Sequence, residues 1–180
     1  MSTIGFDTSN YTTSTAWTDG KTDINVRQIL YVKDGERGIR QSDGVFQHMK
    51  LMPVMYEKLS EQIDFKDVKA VGVSTRPRCV EGSYMPVFLA GEGYAKVVAN
   101  TLGVTLYEFS HQDGHIMAGI YSSGSFELLE NDFISVHLSG GTTEILKSRY
   151  NEFNFDNEII GGSKDISAGQ FIDRVGVKMG

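Results

Sequence analysis

His111-Gln112-Asp113-Gly114-His115 carries the clearest chemical content in this sequence of 180 residues. Two histidines four residues apart fall on one face of a helix, so both imidazoles can reach one metal ion. Two of the chain's 4 histidines lie in this segment. It follows Phe109-Ser110, the expected end of a strand, and open α/β sheets carry their sites at strand ends. A catalytic zinc or iron centre as a rule takes three protein ligands, so a third must come from elsewhere. Two solvated histidines at a helix start are the alternative. The pattern lacks a glutamate beside the first histidine, which speaks against the H-E-x-x-H chemistry of a metalloprotease.

Leu138-Ser139-Gly140-Gly141-Thr142-Thr143 leaves a strand and enters a tight turn. Glycines let backbone N–H groups approach an anion with no Cβ in the way, and the hydroxyls of Ser139, Thr142 and Thr143 add donors. An ordinary hairpin turn has the same composition. Asp7-Thr8-Ser9 occupies the equivalent place near the N-terminus. Its carboxylate can hold a magnesium-bound phosphate, orient a nucleophile, or simply cap a turn. Gly161 to Gln170 opens the last expected helix, with Asp165 or Ser167 as cap and Ala168-Gly169 admitting a nucleotide close to the helix start. Asp173, further along, can bind a ribose hydroxyl, or form a surface ion-pair face with Arg174. Arg76-Pro77-Arg78-Cys79 is a positive loop at a strand end, able to meet phosphate or RNA, or to be a plain polar loop. Cys79 has no neighbouring His or second Cys and receives no catalytic role.

The elements that must position these residues follow from periodicity. Residues 3–7, 13–19 and 24–32 read as strands, with Asp19-Gly20 as a hairpin turn. Val45, Met49, Met52, Met55, Tyr56, Leu59 and Ile63 recur at helical steps and predict a helix over 45–63. A strand at 68–74, a helix at 83–102, a strand at 104–109 and a helix at 111–121 complete an α/β layer with a mixed sheet. Strands then return at 133–138, 144–148 and 153–159, before a helix at 167–178. The second unit restarts like the first, as two ribonuclease-H-like halves would. The expected division is 1–130, a first α/β domain with the histidine pair, and 131–180, the start of a second domain with the glycine-rich loop. Trp17 and the methionines at helical spacing read as core.

Composition bounds the reading. Lys and Arg number 17 against 23 Asp and Glu, a net charge of −6, which argues against holding nucleic acid by the overall field. It leaves room for a local basic patch. The 20 glycines against 3 prolines point to particular backbone tasks rather than a low-complexity tract. One cysteine rules out an internal disulfide and suits a reducing compartment. No apolar run approaches a membrane span and no secretory signal opens the chain, so a soluble cytoplasmic protein is expected.

Together these motifs resemble the glycoprotease family, historically called O-sialoglycoprotein endopeptidase, whose characterised members are tRNA threonylcarbamoyladenosine synthase subunits. Ile4 to Ser9 looks like the family's opening G-I-E-T-S, Gly44 to His48 like A-S-R-x-H, and Gly82-Ser83 like the G-S-L-x-V-G region. His111 to His115 matches H-x-E-G-H, Leu138 to Gly141 matches V-S-G-G, and Asp165 to Arg174 matches D-D-A-A-G-E-A-F-D-K. The departures are Asp7 for the family glutamate, Arg76-Pro77-Arg78-Cys79 for G-P-G-L, Thr142 for the histidine after the glycines, and Gln170 for the glutamate of A-G-E.

The resemblance implies the actin/Hsp70/sugar-kinase fold and a metal-dependent transfer of threonylcarbamoyl from threonylcarbamoyl-AMP to the N6 amine of adenine in tRNA. By resemblance, iron or zinc sits on His111 and His115. His137, Leu138, Ser139, Gly140, Gly141, Thr142 and Asp173 hold the nucleotide, threonylcarbamoyl-AMP or ATP with magnesium, and Asp7 serves the catalytic centre. Expected partners are tRNA, subunits that assist the transfer, and a second copy in a homodimer, with no membrane. A non-catalytic paralogue acting as a dimerising scaffold and an ATP-using relative are the competing readings. The family's third metal ligand is not found by Gly180, so an inactive N-terminal fragment is expected. Its apolar faces (Phe171, Ile172 and Val175; Phe133, Val136 and Leu138) should lie exposed and drive self-association.

Overall fold

The computed structural model describes residues 1–33 and 38–179. The first five strands are β1 (Ser2–Asp7), β2 (Thr12–Thr18), β3 (Asp23–Ile29), β4 (Val68–Arg76) and β5 (Thr105–Ser110). They form one sheet in the order β3-β2-β1-β4-β5. The β1–β2 and β2–β3 pairs are antiparallel, whereas β4 runs parallel to both β1 and β5. The mixed sheet is therefore the one the sequence predicts. In the β2–β3 turn Gly20 takes φ +85°, and the Asp19 carboxylate accepts from Lys21 and Thr22 N–H.

Three helices belong to this part of the chain: α1 (Gln41–Ser60), α2 (Phe88–Leu102) and α3 (His111–Ser123). Helices α1 and α2 pack on each other; α1 lies on β2 and β3, and α2 lies on β1, β4 and β5. The core between them holds Ile4, Phe6, Met52, Leu59, Val71, Val73, Ala95 and Ala99, all buried. Ile4 and Phe6 lie two apart on β1 and so share its buried face, while Asp7 ends that central strand at its carboxyl end. Met52 and Met55 are buried as expected, but Met49 is exposed. Helix α2 begins at Phe88, later than the expected residue 83, because Gly82 at φ +75° and Pro86 keep the preceding segment out of the helix. It ends at Gly103, which takes the left-handed conformation with φ 66° and closes the last turn onto Ala99 and Asn100 carbonyls.

Three antiparallel strands follow, β6 (Phe133–Leu138), β7 (Thr143–Asn151) and β8 (Asn154–Gly162), in that order across the sheet. The helix α4 (Ala168–Met179) ends the described chain. Gly161 and Gly162 belong to β8 rather than to the loop before α4. The chain divides into Met1–Gly114 and His115–Gly180, earlier than the expected boundary at 130/131. The cause is local packing. Tyr121 meets Phe126 edge-on at 6.1 Å, and the 3-10 turn Phe126–Glu130 packs on β7, so the end of α3 belongs with the second sheet. Among the described residues no helix is long and apolar enough to cross a membrane.

Candidate functional site

In the first unit the site residues meet at the carboxyl ends of β1, β4 and β5, the edge where parallel strands present ligands. Asp7 is the last residue of β1 and His111 the first of α3. The His111 Nδ1 lies 2.9 Å from Asp7 Oδ2. The other carboxylate oxygen of Asp7, Oδ1, accepts the Ser9 N–H at 2.7 Å. Burial alone would raise the Asp7 carboxyl, yet the hydrogen bond and charge of His111, with Ser9 and Ser74, hold it at about 2. A carboxylate only accepts, so Nδ1 of His111 is the donor in this contact.

The start of α3 is fixed by a reciprocal cap. Asp113 Oδ2 accepts from Ser110 N at 2.9 Å and from Ser110 Oγ at 2.7 Å, while Asp113 N donates to Ser110 Oγ at 3.1 Å. Both residues are buried. The S-x-x-D spacing is a capping-box pattern readable in the sequence, and it explains why the acid between the two histidines is held inside rather than offered to a ligand. Phe88 packs against the His111 ring, with centroids 6.2 Å apart. Ser74 and Ser110 were given no role by sequence; the contact between Asp7 and His111 spans 104 residues and has no local signal.

The second unit carries His115, the glycine-rich turn and Asp173. His115 stands one turn beyond His111 on the same helix, and its ring centroid lies 5.8 Å from that of His137 on β6. Between β6 and β7, Ser139 Oγ accepts from Gly141 N at 3.2 Å and Thr142 N at 2.9 Å, and pairs with Thr142 Oγ1 at 2.9 Å. The turn is thus closed on itself by a serine hydroxyl. A Cβ built on Gly140 or Gly141 would meet nothing within 4 Å, so one side of the turn is open to a ligand.

Helix α4 is sewn to this turn. Ser167 Oγ donates to Gly140 O at 2.7 Å, Ala168 N donates to Thr143 Oγ1 at 2.7 Å, and Gly169 N donates to Ser139 O at 3.2 Å. Ser167 Oγ also accepts from Gln170 N at 3.2 Å and so caps the helix. A Cβ on Gly169 would come within 2.6 Å of Gly140 Cα and 2.7 Å of Ser139 O, so only glycine fits there. Asp173 is exposed on α4. The sequence predicts the turn and the cap but not the bond between them.

The donor set fits a metal in part. An anionic Asp7 on Nδ1 orients His111 as carboxylates orient metal-binding histidines, and His115 follows at helical spacing. Among the described residues no group of three His, Cys, Asp or Glu side chains is arranged to hold an ion.

The chain is similar to known proteins. The family profile described as tRNA N6-adenosine threonylcarbamoyltransferase matches residues 36–180. A protein of that name from Christiangramia forsetii is 31% identical over 126 residues, covering 69% of this chain and 34% of the relative. One from Pyrobaculum calidifontis is 27% identical over 182 residues, covering 98% of this chain and 49% of the relative. The chain spans about a third to a half of the length of such relatives. Among solved structures, YeaZ from Pseudomonas aeruginosa superposes with TM-score 0.53 at 11% identity, over 93% of this chain and 69% of its own. The ethanolamine utilization protein EutJ from Carboxydothermus hydrogenoformans gives TM-score 0.53 at 16% identity, over 99% and 57%. The architecture is that of the actin, Hsp70 and sugar-kinase superfold. Because the profile runs through the histidine pair, the glycine-rich turn and α4 alike, the chain belongs to the tRNA N6-adenosine threonylcarbamoyltransferase family.

Proposed function

We propose that this chain serves a cytoplasmic tRNA threonylcarbamoyltransferase, which moves threonylcarbamoyl from threonylcarbamoyl-AMP to the N6 amine of an adenine in tRNA, with partner subunits assisting. The observation that carries the reading is the Asp7–His111 pair, 2.9 Å apart at the carboxyl edge of the sheet. Iron or zinc on His111 and His115 would supply Lewis acidity to the carbamoyl carbonyl and a template for orientation. Asp7 would keep the proton of His111 on Nδ1, so that Nε2 is the nitrogen the neutral ring would offer to a metal. The open side of Gly140 and Gly141 leaves room for the phosphate of an adenylate, with Asp173 as a candidate for the ribose hydroxyls. Two imidazoles fill half of a tetrahedral shell, so we expect the 180 residues alone to hold metal weakly and to be inactive.

One observation favours the scaffold reading: Gly141 and Thr142 N–H are already taken by Ser139 Oγ. Incubating the full-length protein and its partner subunits with threonylcarbamoyl-AMP and unmodified tRNA separates the two. A mass gain on adenosine that disappears in His111→Ala supports the transferase. Tight dimerisation with no modified adenosine would support the scaffold.

A further inference from the structure

We propose that the loop from Arg76 to Tyr84 binds a single-stranded stretch of the RNA acceptor, with Arg76 and Arg78 on phosphodiester oxygens and Tyr84 stacked on a base. This rests on the function proposed above and names a site for its macromolecular substrate. Arg76 ends β4, in register with Ser110, the residue before His111. It is partly buried, yet among the described residues its guanidinium touches only uncharged atoms, Thr75 Oγ1 at 3.2 Å and Cys79 Sγ at 3.8 Å. A guanidinium drawn partly out of water with no anion beside it is poised for one to arrive.

The loop is fastened on both sides. Gln112 N donates to Pro77 O at 3.0 Å, tying it to the first turn of α3, and Arg78 N donates to Ser83 Oγ at 3.0 Å. The backbone that carries Arg76 and Arg78 is therefore anchored to the first turn of α3. Tyr84 stands 63% exposed a few residues on. Positive charge joined to an exposed aromatic ring suits unpaired RNA, whose backbone needs cations and whose bases need stacking partners. A small anion such as a carboxylate would use the cation and leave the ring without a task. The single acid in the loop, Glu81, leaves its balance positive on a chain of net charge −6, so attraction of a polyanion must be local.

The test measures binding of an RNA hairpin with an adenine in its unpaired loop, and of a fully paired duplex, to the full-length protein and its variants. Arg76→Ala should weaken hairpin binding about tenfold and lower the salt slope by about one unit, with Arg76→Lys recovering most of the affinity. Tyr84→Ala should cost about tenfold on the hairpin and little on the duplex, with Tyr84→Phe near wild type. Unfolding midpoints and adenylate affinity should match wild type. If transfer proceeds while both alanine variants bind hairpin like wild type, the loop has no such role and the transferase reading stands. If the variants lose hairpin binding while the wild type modifies no adenosine, the loop site stands and the transferase reading falls. Loss of adenylate affinity alone in Arg76→Ala would overturn the assignment to RNA.

Discussion

At the scale of single residues, the Asp7–His111 contact makes the sharpest demand. If Asp7 orients a metal-binding imidazole, Asp7→Asn keeps the shape and removes the charge. Metal affinity in the full-length protein should then fall about 10- to 100-fold, read by competition with a chelator. Unchanged metal affinity would leave Asp7 as a turn cap and no more. His48 makes a separate prediction. It is buried on α1 with Nδ1 2.8 Å from Thr13 Oγ1. Burial pushes its imidazole below the ordinary 6.5, against the opposing pull of the Asn10 backbone and the Asp7 charge. The folded state thus prefers neutral His48, while the unfolded chain takes up the proton near its ordinary value. Stability is full above about pH 6.5 and declines as pH falls below it. Denaturant midpoints at pH 7 and pH 5 should differ more in wild type than in His48→Gln; equal differences would remove His48 as the cause. The individual residues of the site were legible in the sequence because each sits in a short motif. Their partners were not, since Asp7 with His111 and Ser167 with Gly140 are pairings that only the fold creates.

At the scale of elements, α1 contains an internal proline, Pro53. A proline has no N–H for the carbonyl four residues back, here Met49. Tyr94 on α2 supplies the missing donor, with its hydroxyl 3.0 Å from Met49 O. Tyr94→Phe should therefore cost about 0.5–1 kcal/mol in chemical denaturation. In a Pro53→Ala background the helix can make its own bond, so the same substitution should cost less. Equal costs in the two backgrounds would show that the hydroxyl does not stand in for the absent N–H. The junction of α4 with the glycine-rich turn is the second element-level case. Gly169→Ala would push a methyl against Gly140 Cα and Ser139 O, both backbone. Adenylate affinity should drop with little change in the first unit's unfolding; retained affinity would mean the turn can part from α4 without consequence. Helical periodicity revealed α1, small residues marked α2, and a β-branched run revealed β4. Periodicity could not place the start of α2, where Gly82 and Pro86 decide, nor carry β8 through Gly161 and Gly162, which lack side chains to show alternation.

At the scale of the whole molecule, the decisive fact is the surface of the second unit. On β6, Phe133 turns inward and meets Phe155 edge-on at 5.9 Å, contrary to the expectation that it lies exposed with Val136 and Leu138. Strand alternation then puts Ile134, Val136 and Leu138 together on the opposite face. Val136 is 61% and Leu138 62% exposed, and Val136 pairs across the sheet with exposed Ile145. On α4, Phe171, Ile172 and Val175 are exposed as well. Monomeric proteins seldom leave so many large apolar side chains in water side by side, because each one covered gains roughly 1.5–3 kcal/mol. Opposing this is a net charge of −6, which keeps copies apart most strongly at low salt. The 180-residue chain should therefore self-associate in a salt-promoted way, with mass by light scattering rising as ionic strength rises. Val136→Lys with Leu138→Glu should restore the monomer, since both positions face out from β6 and neither contributes to the core. A chain that remains monomeric at high concentration and high salt would show that this face tolerates water, and the expectation of a homodimer through it would be lost.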